Sequence, residues 1–408
     1  MANPLDGKNI ILGVTGSIAA YKAADIGSKL TQLGALVNTI LTNPALEFVS
    51  PLTFQSVTGR KAYVDEDLWG GEGHVVHVQI GHSTDLLIIA PASANTIAKL
   101  AHGLADNLLT VTALAAACPI LIAPAMDAGM YSHPATQENV RILKNRGVHF
   151  IGPDEGHLAS GLIGPGRMSE PPDIIGFTRW LLSRKNPLMG KKILITAGGS
   201  REAIDPVRYI SNYSSGKQGY ALAQAALDYG ADVTLVSTLS NQNAPYGSHV
   251  IQVQSAEEMY NAVMAELETA NALIMSAAVA DFKPAEFRGE KIKKDKGLTE
   301  IKLARTRDII AEAAQVKKSK NLPLKIIGFA AESENLKNNA LKKMTEKEMD
   351  MIVANDITDP QAGFSVDTNR VLLMFSDGST EQLPLLQKYE VAEKVIQHLA
   401  GWLVEGAG

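Results

Sequence analysis

Two stretches of this chain read alike: residues 8–17, KNIILGVTGS, and residues 191–200, KKILITAGGS. Each runs from a basic residue through an apolar stretch of strand length to glycine and then to a hydroxyl. A strand that turns sharply into a helix selects this pattern, because glycine permits the tight backbone and Ser or Thr caps the unpaired N–H groups of the helix. The likeness is too short for a repeat and reads as shared architecture, two separate openings of an α/β domain. Outward from the first, strands are expected at 9–14, 36–41, 86–90, 120–123 and 149–151, with helices at 17–33 and 94–102 among those between them. Short apolar strands alternating with helical patterns in both halves predict an α/β fold, two doubly wound domains on largely parallel sheets. The polar segment SRKNPLMGKK at 183–192 follows a helix and carries Pro187 and Gly190. It divides the chain into domains 1–188 and 189–408.

Composition agrees with two cores, since 408 residues is long for one. With 46% hydrophobic and 20% charged residues the chain is ordinary for a globular protein. Its net charge of -5 argues against nucleic acid as a partner and leaves room for a local basic pocket for phosphates. The one cysteine, Cys118, forms no internal disulfide and is expected as a buried, inert thiol. The N-terminus lacks a cationic and apolar leader, and no run approaches the roughly 20 apolar residues of a membrane span, so the expectation is cytoplasmic with no membrane partner.

In the first half, Gly16, Ser17 and Ile18 between a strand and a helix offer open backbone amides to a phosphate. Read alone, Ser17 is an ordinary helix cap. Downstream, Ser93, Asn95 and Thr96 follow a buried strand at its carboxyl end, where ligands bind in open α/β sheets. The ordered blocks GSIAAYK, TDLLIIAPASANT, GLADNLL, APAMDAGMYSHPAT and LASGLIGPGRM together resemble the flavin mononucleotide-dependent cysteine decarboxylases over most of residues 7–180. The resemblance implies a flavodoxin-like flavoprotein domain binding FMN through Gly16, Ser17, Ile18, Thr42, Ser93, Asn95 and Asp106. The cofactor would supply the redox chemistry that lets carbon dioxide leave, and the protein the positioning and the acid–base groups.

The same resemblance makes His77 the base. HVVH also offers His74 and His77 as a metal pair, but an extended segment would point the two rings to opposite faces, and no carboxylate or cysteine follows at a ligand interval. Two departures matter. The family motif ends in asparagine where this chain has Asp127, and an ionised carboxylate would repel the substrate carboxylate, so Asp127 is expected to act protonated. In the substrate flap Ser160 stands where the family has a cysteine as proton donor, and a hydroxyl is a far weaker acid. Arg167, in the same flap, would contact the substrate phosphate or brace the loop.

The second half carries TAGGSREAIDPVRYISNYSSGKQGYALAQAALDYGADVTLVS at 196–237, which resembles the phosphopantothenate–cysteine ligases throughout. A Rossmann-like ligase domain follows from it. The loop SNYSSGK at 211–217 feeds a helix and can hold phosphate, although Ser211 and Ser214 serve equally as helix caps. The resemblance makes Asn212 the contact to the acyl-cytidylate carbonyl and Lys291, in the charged and therefore mobile loop RGEKIKKDK at 288–296, the catalytic lysine. Lys293, Lys294 and Lys296 read as a solvated basic face. ALIMSAAVADFKP places Met275, Ser276, Ala277 and Asp281 after a buried strand, with Asp281 a ligand for Mg2+. By position Asp308, Phe329, Lys343 and Lys347 are nucleotide contacts, while Thr306-Arg307 departs from the family's Asn-Pro. Asn355 and Asp356 read as structural residues near the site.

Jointly the chain resembles the bifunctional decarboxylase–ligase family of coenzyme A biosynthesis. That implies 4′-phosphopantothenate, cysteine and CTP as substrates, with CTP rather than ATP resting on the resemblance. It implies a homo-oligomer too, trimeric through the flavin half and dimeric through the ligase half, hence a dodecamer. The other reading keeps an active ligase and makes the first half a structural or regulatory flavoprotein module.

Overall fold

The structure, a computed structural model, describes residues 3–69, 76–238, 242–292, 300–332, 334–356, 361 and 366–405. It divides into two compact units between Leu182 and Ser183.

In the first unit β1 (Asn9–Val14), β2 (Leu36–Leu41), β3 (Ala62–Tyr63), β4 (Leu86–Ala92), β5 (Ile120–Pro124) and β6 (His149–Phe150) form a parallel sheet ordered β3-β2-β1-β4-β5-β6. Without the two-residue edge strand β3, the order along the chain is that of a flavodoxin, as the sequence predicts. A hairpin of β7 (Asp154–His157) and β8 (Ile163–Arg167) follows. The helices are α1 (Ala20–Gln32), α2 (Pro51–Thr58), α3 (Val76–His82), α4 (Ala94–His102), α5 (Leu108–Ala115), α6 (Ala128–Ser132), α7 (Pro134–Asn145) and α8 (Pro171–Ser183).

Strands covered on both faces read as continuous apolar runs, and β1 shows why. Ile10, Leu12 and Val14 pack with Ile26 and Phe54 on one side of the sheet. Ile11 packs with Leu87, Ile97 and Leu108 on the other. Three expectations are corrected here. The first helix begins at Ala20 rather than Ser17, leaving residues 17–19 as an open turn. The segment of His77 is a helix, not extended, because Ile80 and Gly81 bury one face of α3 against α5, and this packing overrides the alternating pattern of HVVHVQI. His74 lies outside the described residues. Cys118 is half-buried rather than buried, and burial pushes its thiol up, so it stays protonated.

The second unit begins with β9 (Lys192–Ala197), the hairpin β10 (Arg201–Ala203) and β11 (Tyr209–Ser211), α9 (Lys217–Asp228), β12 (Asp232–Thr238), β13 (His249–Val253) and α10 (Ala256–Leu267). It continues through β14 (Ala272–Met275), a second hairpin of β15 (Phe282–Pro284) and β16 (Leu303–Arg305), α11 (Ile309–Ser319), β17 (Lys325–Glu332), α12 (Leu336–Glu346) and β18 (Met351–Asp356). It ends with β19 (Thr368–Asn369), β20 (Val371–Phe375), β21 (Thr380–Gln382) and α13 (Lys388–Glu405), after the short β22 (Leu386–Gln387).

The main sheet runs β13-β12-β9-β14-β17-β18-β20-β21, a Rossmann order whose last two strands are antiparallel. Gly219 lets α9 lie hard against β9: a Cβ there would stand 2.5 Å from the Ala197 Cβ. Leu188, in the polar segment between the openings, is fully buried, and its N–H donates to the Tyr229 carbonyl at 2.8 Å. Among the described residues no helix is long and apolar enough to cross a membrane.

Candidate functional site

In both units the sheet reverses its winding at its first strand, between β1 and β4 and between β9 and β14, and loops at the carboxyl ends there form the cavities. In the first unit Thr15 ties two such loops together. Its hydroxyl donates to the Pro91 carbonyl at 2.8 Å and accepts from the Ser93 N–H at 2.9 Å. Gly16 faces Pro44 so closely that a Cβ would lie 2.5 Å from the Pro44 Cβ, which keeps the turn free of side chains. Beyond it Ser17, Ile18, Lys22, Asp127, Ser160 and Arg167 line a cavity of about 330 Å³.

Asp127 caps α6, accepting from the Gly129 N–H at 2.9 Å on one oxygen and from the Ser160 hydroxyl at 2.7 Å on the other. The Ser160 bond, then the Gly129 N–H, hold its carboxyl below the usual range. Both contacts favour the ionised form of Asp127, and the Ser160 proton is directed at it. Arg167 pairs with Glu170, which also receives Lys22 at 2.8 Å, so Arg167 braces the loop.

The other expected residues of this unit lie apart from that cavity. Ser93 caps α4, accepting from the Thr96 N–H at 3.3 Å. Asn95 is exposed, and Thr42 is buried against the Val14 carbonyl. Asp106 is exposed and paired with Lys99 at 2.8 Å, and the Lys99 hydrogen bond holds its carboxyl low. His77 is half-buried on α3 with a buried Nδ1 that has no hydrogen-bond partner among the described residues.

In the second unit side chains bind neighbouring loops to one another. The Thr196 hydroxyl accepts from the Ala277 N–H at 3.1 Å, and the Ser200 hydroxyl from the Ala280 N–H at 2.9 Å. Ser211 donates to the Ser200 carbonyl at 2.7 Å, and Asn212 Nδ2 to the Val279 carbonyl at 3.1 Å. Met275, Ala277, Asp281, Asp308, Phe329 and Lys347 line one cavity of about 530 Å³. Asn212, Ser276 and Lys343 line a second of about 500 Å³, which shares Ala277, Asp281 and Phe329 with the first.

Asp308 caps α11 through the Ala311 N–H at 3.1 Å and pairs with Lys347 at 2.8 Å. Lys343 pairs with Glu332 at 2.6 Å. Where the expected Asn-Pro is absent, the Thr306 hydroxyl donates to the Ala280 carbonyl at 2.6 Å and the Arg307 guanidinium covers the Tyr260 ring at 4.3 Å. No group of three or more metal-binding side chains is assembled among the described residues.

Lys291 is exposed, while Lys293, Lys294 and Lys296 lie outside the described residues. The expectation that 288–296 is too charged to pack fails at Ile292, which is buried. Sequence reasoning missed the residue responsible, Asp205. Its buried carboxylate accepts from the N–H groups of Val207 and Arg208 at 2.8 Å and of Ile292 at 3.2 Å. Burial pushes this carboxyl up, but those N–H groups together with Arg208 hold it below the usual range. Its sequence signal was the Asp-Pro turn at 205–206.

The family model described as "Flavoprotein" matches residues 2–183, and that described as "DNA/pantothenate metabolism flavoprotein C-terminal domain" matches 188–403. The chain is 44% identical over 399 residues to the Coenzyme A biosynthesis bifunctional protein CoaBC of Bacillus subtilis (strain 168), covering 97% of each. Its identity to the protein of that name from Vibrio vulnificus (strain CMCP6) is 42%, over 97% of this chain and 98% of the other. A crystal structure of the C-terminal domain of a CoaBC protein is 40% identical and covers 54% of this chain and 99% of its own, with a TM-score of 0.47.

Proposed function

The chain belongs to the family of coenzyme A biosynthesis bifunctional proteins, and from that premise we propose how its two halves divide the chemistry. It is a flavoprotein decarboxylase followed by a ligase, acting in coenzyme A biosynthesis. In our reading residues 1–188 decarboxylate 4′-phosphopantothenoylcysteine, and residues 189–408 make it from 4′-phosphopantothenate, cysteine and CTP.

FMN is the cofactor of the first half. Its fit rests on the side-chain-free turn at Gly16, the open helix start at residues 17–19, and the apolar surface of Ile18, 62% exposed at the cavity, which a flat ring would cover. Bound there, FMN would supply the oxidation that makes the substrate carboxylate a leaving group. The Ser17 and Ile18 amides and the Ser93 and Asn95 side chains would hold it, with Gly16, Thr42 and Asp106 shaping the loops around it. His77 takes a substrate proton. Ser160, bonded to Asp127, holds the flap residues over the cavity.

In the ligase half the acid is activated by attack on the α-phosphate of CTP, releasing pyrophosphate, and the cysteine amine then displaces the nucleotide. Asn212 offers a neutral donor to the carbonyl oxygen as charge develops on it. Lys291 neutralises the separating phosphates. Asp281 would hold Mg2+, which would offset the charge of the CTP phosphates. Phe329 packs on the base, and Lys343, Lys347 and Asp308 surround it.

The observation that carries this reading is the joined pair of cavities around Asp281 and Phe329, room for a nucleotide and an acid to meet. The test is turnover of phosphopantothenate, cysteine, CTP and Mg2+ by the purified protein, with mass analysis of the product. The saturated amide-thiol, 4′-phosphopantetheine, is expected. No amide product would sink the ligase assignment, and an amide that never loses carbon dioxide would leave the first half a flavoprotein module. The reading places the protein in the cytoplasm as a homo-oligomer, which sedimentation would test.

A further inference from the structure

A saturated thiol can leave the first half only if an acid completes it. When carbon dioxide departs, its bonding electrons stay on the substrate, and the carbon that lost it must gain a proton before hydride can return from the reduced cofactor. His77, which takes the substrate proton, stands outside the cavity of Ser17 and Ile18. Ser17, Tyr21, Lys22, His157, Ser160 and Arg167 are the proton-bearing side chains that line it.

Most of these protons are already placed elsewhere. Ser160 gives its own to the Asp127 carboxylate at 2.7 Å. Lys22 donates to Glu170 at 2.8 Å and to the Met168 carbonyl at 3.4 Å, and Arg167 donates to Glu170. The His157 ring makes no hydrogen bond and no ion pair among the described residues. Of the side-chain types present, imidazole alone titrates near neutral pH, at about 6.5, against about 10 for a phenol or an ammonium.

His157 is also held in place. It ends β7 opposite Ile163, and the turn beyond it is closed by the Leu158 N–H on the Leu162 carbonyl and the Gly161 N–H on the Leu158 carbonyl, both at 2.9 Å. The second strand, β8, is pressed against the segment of Asp127. The Met126 N–H donates to the Gly166 carbonyl at 3.0 Å, and a Cβ on Gly166 would lie 2.2 Å from the Met126 carbonyl oxygen. Resting on the decarboxylase reading above, we propose that His157 is the acid of the reductive step. Its imidazolium gives a proton to the carbon that lost carbon dioxide, which turns the enethiolate into a thioaldehyde. Hydride from the cofactor reduced in the earlier oxidation then adds to the thioaldehyde carbon, and solvent protonates the sulfur. The substrate gains the two electrons that it gave up, and the cofactor ends oxidised.

The flavin-loaded full chain, given 4′-phosphopantothenoylcysteine without oxygen, tests this by mass analysis of the products. Wild type should give saturated thiol in step with carbon dioxide. In His157→Gln the protonation should slow by about 10²-fold, the low end of what a general acid contributes. Enethiol should then exceed saturated thiol, and the bound flavin should stay bleached. Adding Ser160→Cys to His157→Gln should recover the saturated thiol, because a thiol, with a pKa of about 8.5, is an acid of useful strength. Independently of turnover, the His157 ring signal in spectra of 13C-histidine protein, identified by its loss in His157→Gln, should move when 4′-phosphopantetheine binds. Saturated product from His157→Gln at the wild-type rate, or a ring signal that product leaves unmoved, would overturn the proposal. Wild-type protein that releases only enethiol would overturn it as well. Wild-type protein that releases no carbon dioxide would refute the decarboxylase reading itself, and the role of His157 with it.

Discussion

Ten of the residues expected in the ligase half can be compared with nine around the flavin in how far the fold gathers them. In the second unit Met275, Ala277, Asp281, Asp308, Phe329 and Lys347 share one cavity, Asn212, Ser276 and Lys343 share the next, and only Lys291 lines neither. In the first unit Ser17, Ile18, Asp127 and Ser160 meet, while Thr42, Ser93, Asn95, Asp106 and His77 stand outside the cavity. The difference lies in how the loops are held. Thr196, Ser200, Ser211 and Asn212 bind the loops after β9 and β14 to one another. The flap of the first unit is joined to its cavity wall through the Ser160–Asp127 bond.

The sharpest break between the halves should come from Lys291→Gln. Loss of a cation that stabilises separating phosphates is expected to cost about 10³-fold or more in amide formation. Carbon dioxide release from supplied 4′-phosphopantothenoylcysteine should persist, and equal loss of both activities would end the division of labour. Asn212→Ala should follow, lowering ligation by about 10²-fold, the usual cost of one donor to a developing oxyanion. An accumulated acyl-cytidylate, seen by mass analysis, would place the loss in the second step.

Asp205→Ala touches no proposed substrate contact, yet it frees the Ile292 N–H and with it the loop of Lys291. Misplacement of about 1 Å can cost up to about 10²-fold, so ligase kcat should fall within that limit while the CTP affinity changes less. Ligation as fast as wild type would show that the loop is placed by something else.

The smallest effect is expected at Ser160→Ala, read as a pH shift. Asp127 is held low by Ser160, so its charge is present through neutral pH and is lost only as pH falls through that depressed value. Without the hydroxyl the carboxyl rises, though the Gly129 N–H still lowers it, and its titration by NMR should move to higher pH. An unmoved titration would break the link between flap and carboxylate.

Much of the fold was legible because β1, β4, β9 and β14 are buried on both faces and spell apolar runs ended by glycine or small residues. The residues at the ends of those strands were legible for the same reason, since the site lies where the sheet changes direction. The His77 segment misled because residues 76–82 alternate like a strand, and only packing against α5 makes them helical. The contact that Asp127 makes was not legible, because its partner Ser160 lies 33 positions away. Asp205 gathers N–H groups from positions two, three and 87 residues on, and no spacing rule announces such a set.

Gly219 has a practical consequence for anyone engineering this enzyme for heat resistance. Replacing a helix glycine by alanine commonly stabilises, by reducing the freedom of the unfolded chain. Here the added methyl would meet the backbone and side chain of Ala197, and the helix would have to retreat from the sheet. The retreat would carry Lys217 and Gln218 outward, so a thermostabilising library should leave position 219 untouched and look for its gains outside α9, none of whose residues is exposed.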